Sequence, residues 1–137
     1  MSREKFYAEQ INASYTGRQE PLRGDGTAAS TLDTPLPGVS LATGTYSYPC
    51  DVGGSASARF VFNATTITGT PPTVSIRPAL NDKVTPDTTV AAVAPTIALN
   101  TPVAATLALA GQKIAIVTIT VPAASTVVFG TAEFSSK

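Results

Sequence analysis

Histidine and tryptophan are absent from this chain, and cysteine and methionine occur once each. Without histidine the commonest general base and metal ligand is gone, and serine–histidine catalysis is excluded. A lone cysteine forms no intrachain disulfide and no thiolate metal cluster, so Cys50, in the setting Tyr48-Pro49-Cys50, reads as a small buried hydrophobe. Charge is sparse: Lys, Arg, Asp and Glu make up 13% of the 137 residues and cancel to a net charge of zero, with a pI near 6.1. No basic stripe is present to neutralise phosphates or hold anionic lipid, so neither nucleic acid nor a membrane surface is an expected partner. Long apolar runs are missing too. The longest, Ile114 to Val121, is interrupted by Thr118 and Thr120 and falls far short of the roughly 20 residues of a spanning helix. Met1 to Gln10 spreads its charges and lacks the apolar centre of a secretory signal, so synthesis in a cytoplasm is expected.

What charge there is lies unevenly. Nine of the eighteen charged residues precede residue 34, and the rest of the chain is a dense series of Val, Ile, Thr and Ala segments broken by Pro and Gly. This division predicts a polar N-terminal arm, residues 1–38, ahead of one β domain, residues 39–137. Within Ser2 to Asn12, Phe6 with Gln10 and Tyr7 with Ile11 share a side at helical spacing, and Ser2 can cap the first turn. A helix that short is marginal alone, so it implies packing against something. Thr16 to Gly38 holds Gly17, Gly24, Gly26, Pro21, Pro35 and Pro37 and reads as an extended connector.

From Val39 onward the segments have strand length. In Thr73 to Arg77, Val74 and Ile76 face inward while Ser75 and Arg77 face out. Arg59 to Ala64 repeats the pattern, with Phe60, Phe62 and Ala64 on one face. Further strands are expected at Val39 to Tyr48, Thr88 to Val93, Thr96 to Leu99, Val103 to Leu109, Lys113 to Val121 and Thr126 to Phe134. Turn chemistry separates them at Gly69 to Pro72, Asn81 to Asp87, Asn100 to Pro102, Ala110 to Gln112 and Pro122 to Ser125. Seven or eight short strands without a long helix predict an all-β fold, an antiparallel sandwich of jelly-roll type, with a small barrel as the alternative. In Lys113 to Val121 the odd positions Ala115, Val117, Ile119 and Val121 belong to the core, which turns Ile114 and Ile116 outward. Three readings stay open for these two: cover by the arm, contact with another subunit, or ordinary scattered surface hydrophobics.

Catalytic groups are thin. Lys5, Lys83, Lys113 and Lys137 sit in no motif, Asp82 and Asp87 flank Pro86 in one loop, and Asp51 and Glu133 stand alone, so no enzyme and no cofactor are expected. Asn81, Asp82 and Asp87 match no standard calcium loop, carry Lys83 among them, and read as side-chain-capped turns. Arg23-Gly24-Asp25, the integrin-binding triplet, reads as a flexible turn, and the sequons at Asn12 and Asn63 carry no weight without secretion. Tyr46 and Tyr48, on one face of a strand, fit a core contact better than a sugar-stacking platform.

A small β domain rich in Thr, Ala, Val and Pro, without a secretory signal and behind a polar arm, resembles the capsid decoration (cement) proteins of tailed bacteriophages. The likeness spans the arm at residues 1–38 and the strand series ending in Thr126-Val127-Val128-Phe129-Gly130-Thr131-Ala132-Glu133-Phe134. It implies a structural virion protein, made in the host cytoplasm and carried on the capsid surface, whose partner is the major capsid protein. It also implies a homotrimer at three-fold or quasi-three-fold positions that clamps neighbouring capsid subunits. The expected contacts are Phe6, Tyr7, Ile11 and Tyr15 in the arm and Ile114 and Ile116 on the domain. An alternative from another class is a glycan-binding or adhesin module of a head fibre or tail, and a third is a tail-tube building block. Loops at Gly69 to Pro72, Asn81 to Asp87 and Pro122 to Ser125 contain no aromatic residue, which favours the scaffold.

Overall fold

The described residues form eight strands: β1 Glu20–Pro21, β2 Ser40–Leu41, β3 Gly44–Asp51, β4 Ser57–Thr68, β5 Thr73–Pro78, β6 Val103–Ala108, β7 Ile114–Val121 and β8 Thr126–Ser136. The structure is a computed structural model that describes residues 19–23, 35–80 and 85–136, and no helix occurs among them. In one sheet β8 is central, with β4 on one side and both β1 and β2 on the other, and β6 lies outside β4. In the second sheet β7 lies between β3 and β5. Every strand pair is antiparallel.

The pairings nest. Ser40 lies opposite Val128, Gly44 opposite Val121, Asp51 opposite Ile114, and Ser57 opposite Ala108. Phe62 faces Val103, Thr73 faces Thr96, Ile76 faces Val93 and Ala79 faces Pro86. The described chain from Ser40 to Ala79 thus pairs in order with that from Pro86 to Val128, in the manner of one long hairpin. It is rolled so that successive strands alternate between the sheets, and rolling adds the β4–β8 and β5–β7 contacts. The arrangement is a jelly-roll-like antiparallel sandwich.

Alternation sets the core. Ala58, Phe60, Phe62 and Ala64 of β4, Val74 and Ile76 of β5, and Ala115, Val117, Ile119 and Val121 of β7 are buried in one cluster, as their spacing predicts. Phe60 stacks with Phe134 at 6.1 Å between ring centroids, and Phe62 meets Phe129 edge-on at 5.8 Å. Along β8 the buried positions run Val127, Phe129, then Ala132 and Phe134, so the alternation changes phase between Phe129 and Ala132. Asn63 pairs with Thr131 but Ala64 with Phe129, and Thr66 with Val128, so Gly130 and Thr65 are each an extra residue at paired bulges.

Several expectations are corrected. Val39 to Tyr48 is two strands, β2 and β3, with Ala42 and Thr43 crossing from one sheet to the other. Thr88 to Val93 and Thr96 to Leu99 form no strand; they contribute isolated bridges, of which Val93 and Thr96 cover the free side of β5. The boundary at residue 38 does not separate an arm from a domain. Leu22 and Leu36, at 0% and 1% exposure, lie in the core cluster. The Leu22 N–H donates to the Ala132 carbonyl at 2.9 Å, Leu36 to Leu22 at 2.7 Å and Gly38 to Phe129 at 2.9 Å. Burying a leucine contributes about 1.5–3 kcal/mol, enough to hold a Gly- and Pro-rich stretch against the sheet. The expected helix within Ser2 to Asn12 lies outside the described residues.

Candidate interaction surfaces

The rolled hairpin gathers its loops at two ends. At one end the β2–β3, β4–β5 and β7–β8 connections meet around Ser125, the only buried polar residue among those described. Ser125 Oγ accepts the Thr70 N–H at 2.9 Å and donates to the Ala123 carbonyl at 3.2 Å, while the Thr43 hydroxyl donates to the Pro122 carbonyl at 2.9 Å. Ala42, Thr43, Gly69 to Pro72 and Pro122 to Ser125 hold neither a charge nor an aromatic ring. Ser125 and Thr43 therefore hold their loops together and present no titratable group to a substrate.

The opposite end is more polar. There Val52 and Gly53 both donate to the Lys113 carbonyl, at 2.8 and 3.2 Å, and Asp51 Oδ1 accepts the Gly53 N–H at 3.0 Å. Asp87 Oδ1 accepts both the N–H and the hydroxyl of Thr89. These two bonds, aided by the nearby Arg77 charge, hold the Asp87 carboxyl below its usual range. Asp87 is thus the cap of its own turn, as expected, whereas Asn81, Asp82 and Lys83 lie outside the described residues. No group of three or more His, Cys, Asp or Glu gathers among the described residues.

Tyr48 is buried in the core, and Tyr46 packs against it with its hydroxyl donating to the Ala42 carbonyl at 2.8 Å, so neither ring forms a sugar platform. The Cys50 thiol is buried, which with the charge of Glu20 pushes it far above its ordinary range. Asn63 sits mid-strand in β4 with its Oδ1 buried and unpartnered among the described residues, a poor acceptor for a glycan. Arg23 forms a bridge with Pro35; Gly24, Asp25 and Asn12 lie outside the described residues.

Of the expected contact residues, Phe6, Tyr7, Ile11 and Tyr15 also lie outside the described residues. Ile114 is half-buried, and its carbonyl accepts the Ala79 N–H at 2.9 Å. Ile116 does sit on the outer face, opposite Pro49 and Arg77, but it is only 1% exposed within the single chain. It offers no free surface to a second subunit or a capsid, which corrects its assignment as a contact.

No protein-family model matches this chain, and no curated protein matches it in sequence. No helix among the described residues is long and apolar enough to cross a membrane.

Proposed function

We propose that the protein is a structural virion component that decorates an icosahedral phage head and clamps neighbouring capsid subunits. The observation that carries this reading is the jelly-roll-like sandwich itself, an architecture widely used in viral capsid domains and in lectins. Between those two uses, the loop end around Ser125 favours the scaffold. Its loops carry no aromatic ring on which a sugar would stack. Ahead of β1, which pairs with Glu133 and Phe134 of β8, the sequence carries Phe6, Tyr7, Ile11 and Tyr15. In this reading they supply the apolar anchors, and sparse charge makes attachment resistant to salt.

The test is co-sedimentation with undecorated heads, comparing the full chain with one beginning at Gln19, a cut that keeps Leu22 and Leu36 in the core. Saturable binding that persists in high salt and is lost on truncation supports the clamp. Failure of the full chain to bind heads overturns the reading and sends the protein to glycan screening.

A further inference from the structure

β6 is the outer margin of the β8-centred sheet, and β4 is its only strand partner among the described residues. The Leu109 N–H donates to the Ala56 carbonyl at 2.9 Å, which sets the phase of the ladder. Bonded and non-bonded pairs alternate in an antiparallel ladder, so Val103, Ala105 and Leu107 turn their backbone groups toward β4. Ala104, Thr106 and Ala108 turn theirs away. All three residues are exposed, and no backbone hydrogen bond from another described residue reaches those outward groups.

Sheet margins left like this are normally guarded by charge, proline, a bulge or extreme shortness. The other margins here are guarded. β1 and β2 are two residues each, β3 carries Pro49 and Asp51, and Val93 and Thr96 bridge to β5. β6 has none of these: six residues, Val-Ala-Ala-Thr-Leu-Ala, in unshifted register with β4, inside a stretch from Thr88 to Gln112 without a single charge. Along the same margin Val103, Ala105 and Leu109 are only partly buried against the core.

We propose that β6 pairs antiparallel with β6 of a second copy of this chain, about a two-fold axis through Thr106. The strand is self-complementary in that register. Thr106 lies opposite Thr106 and Ala104 opposite Ala108, small against small, with the outward backbone groups of all three residues paired across the axis. On the inner face Ala105 meets Leu107 and Val103 meets Leu109, which continues both cores across the junction. Arg59 neighbours Thr106 on β4, so the two copies of Arg59 stand three strand spacings apart. That is about 14 Å, beyond a screening length of roughly 8 Å, and their repulsion does not prevent pairing. A charged strand would find no counter-charge on this margin, which is why the occupant is a neutral strand such as β6 itself. The pairing does not rest on the capsid reading, and it makes twos, not the threes that the decoration-protein resemblance implies.

The test is sedimentation equilibrium of the full chain over a wide concentration range, beside Thr106→Lys and Thr106→Pro. Lysine sets two ammonium groups face to face at the axis, and proline removes an N–H that the single chain does not use. Wild type should move from one chain mass to two as concentration rises, and each variant should dissociate at least ~tenfold more readily with an unchanged circular dichroism spectrum. Amide exchange supplies a reading on the unaltered protein: Ala104, Thr106 and Ala108 become protected as concentration rises. A wild-type chain that stays single at every concentration overturns the proposal. So does an oligomer that Thr106→Lys leaves intact, or exchange at these three amides that does not change.

Discussion

The Thr65 methyl carbon, Cγ2, lies 2.5 Å from where a side-chain carbon on Gly130 would begin. These two residues are the extra members of the facing bulges in β4 and β8, and the absence of a side chain on one makes room for the other. The shift they produce lets Phe129 and Ala132, an odd number of positions apart, both point into the core. Gly130→Ala should destabilise the protein by about 1–3 kcal/mol, since the new methyl overpacks the bulge. Thr65→Ser removes the opposing methyl, so adding it to Gly130→Ala should restore part of the loss. A denaturant-based double-mutant cycle measures the coupling, and additive effects would mean that the two bulges do not depend on each other.

At the loop end, Gly69 has φ of +81°, and a side-chain carbon there would lie 2.5 Å from Ser125 Oγ and 2.8 Å from the Ala124 carbonyl oxygen. Gly69→Ala should cost about 2–4 kcal/mol, because backbone cannot yield as a flexible side chain can. Ser125→Ala leaves the Thr70 N–H without its acceptor and should cost about 1–3 kcal/mol. Thermal unfolding of each variant checks the order of the two effects.

Leu22 and Leu36 behave as members of the core despite their setting among glycines and prolines. Alanine at either should lower stability by about 2–5 kcal/mol, as for other buried leucines. Removal of residues 1–18 leaves all the described core residues in place and should change the unfolding midpoint little. A severe loss on that truncation, with mild leucine effects, would reverse this division of the N-terminal segment.

Burial, aided by the Glu20 charge, keeps the Cys50 thiol protonated at neutral pH, and only the thiolate attacks a thiol reagent. Labelling of the native protein should therefore be slow and should accelerate along the denaturant unfolding curve. Rapid labelling in native buffer would place Cys50 outside the core.

Asp87 titrates below the ordinary carboxyl range because the ionised form accepts two bonds from Thr89 and lies near Arg77. A depressed folded value makes its contribution present above the unfolded pKa and lost as the pH falls through the folded one. The stability difference between wild type and Asp87→Ala should accordingly shrink on acidification. Unfolding midpoints measured across the acidic range test the sign.

The residues of this chain by themselves determined the all-β class and most of the inward faces. Alternation is a local property: Phe60, Phe62 and Ala64, or Val117, Ile119 and Val121, face the core because a pleated strand sends every second side chain to the same side. The turn between β7 and β8 is legible for the same reason, since Pro122 to Ser125 interrupts the alternation within a few residues. Tertiary structure decided what depends on distant neighbours. Leu22 and Leu36 are isolated leucines without a period around them, and only docking against β8 makes them core. The change of phase at Thr65 and Gly130 leaves no mark in hydropathy, because a bulge is defined by the partner strand it fails to match. Ile116 follows its parity to the outer face and is buried there all the same. The open margin of β6 is likewise invisible in Val-Ala-Ala-Thr-Leu-Ala, since whether a strand has one partner or two is settled by the sheet it joins and not by its own residues.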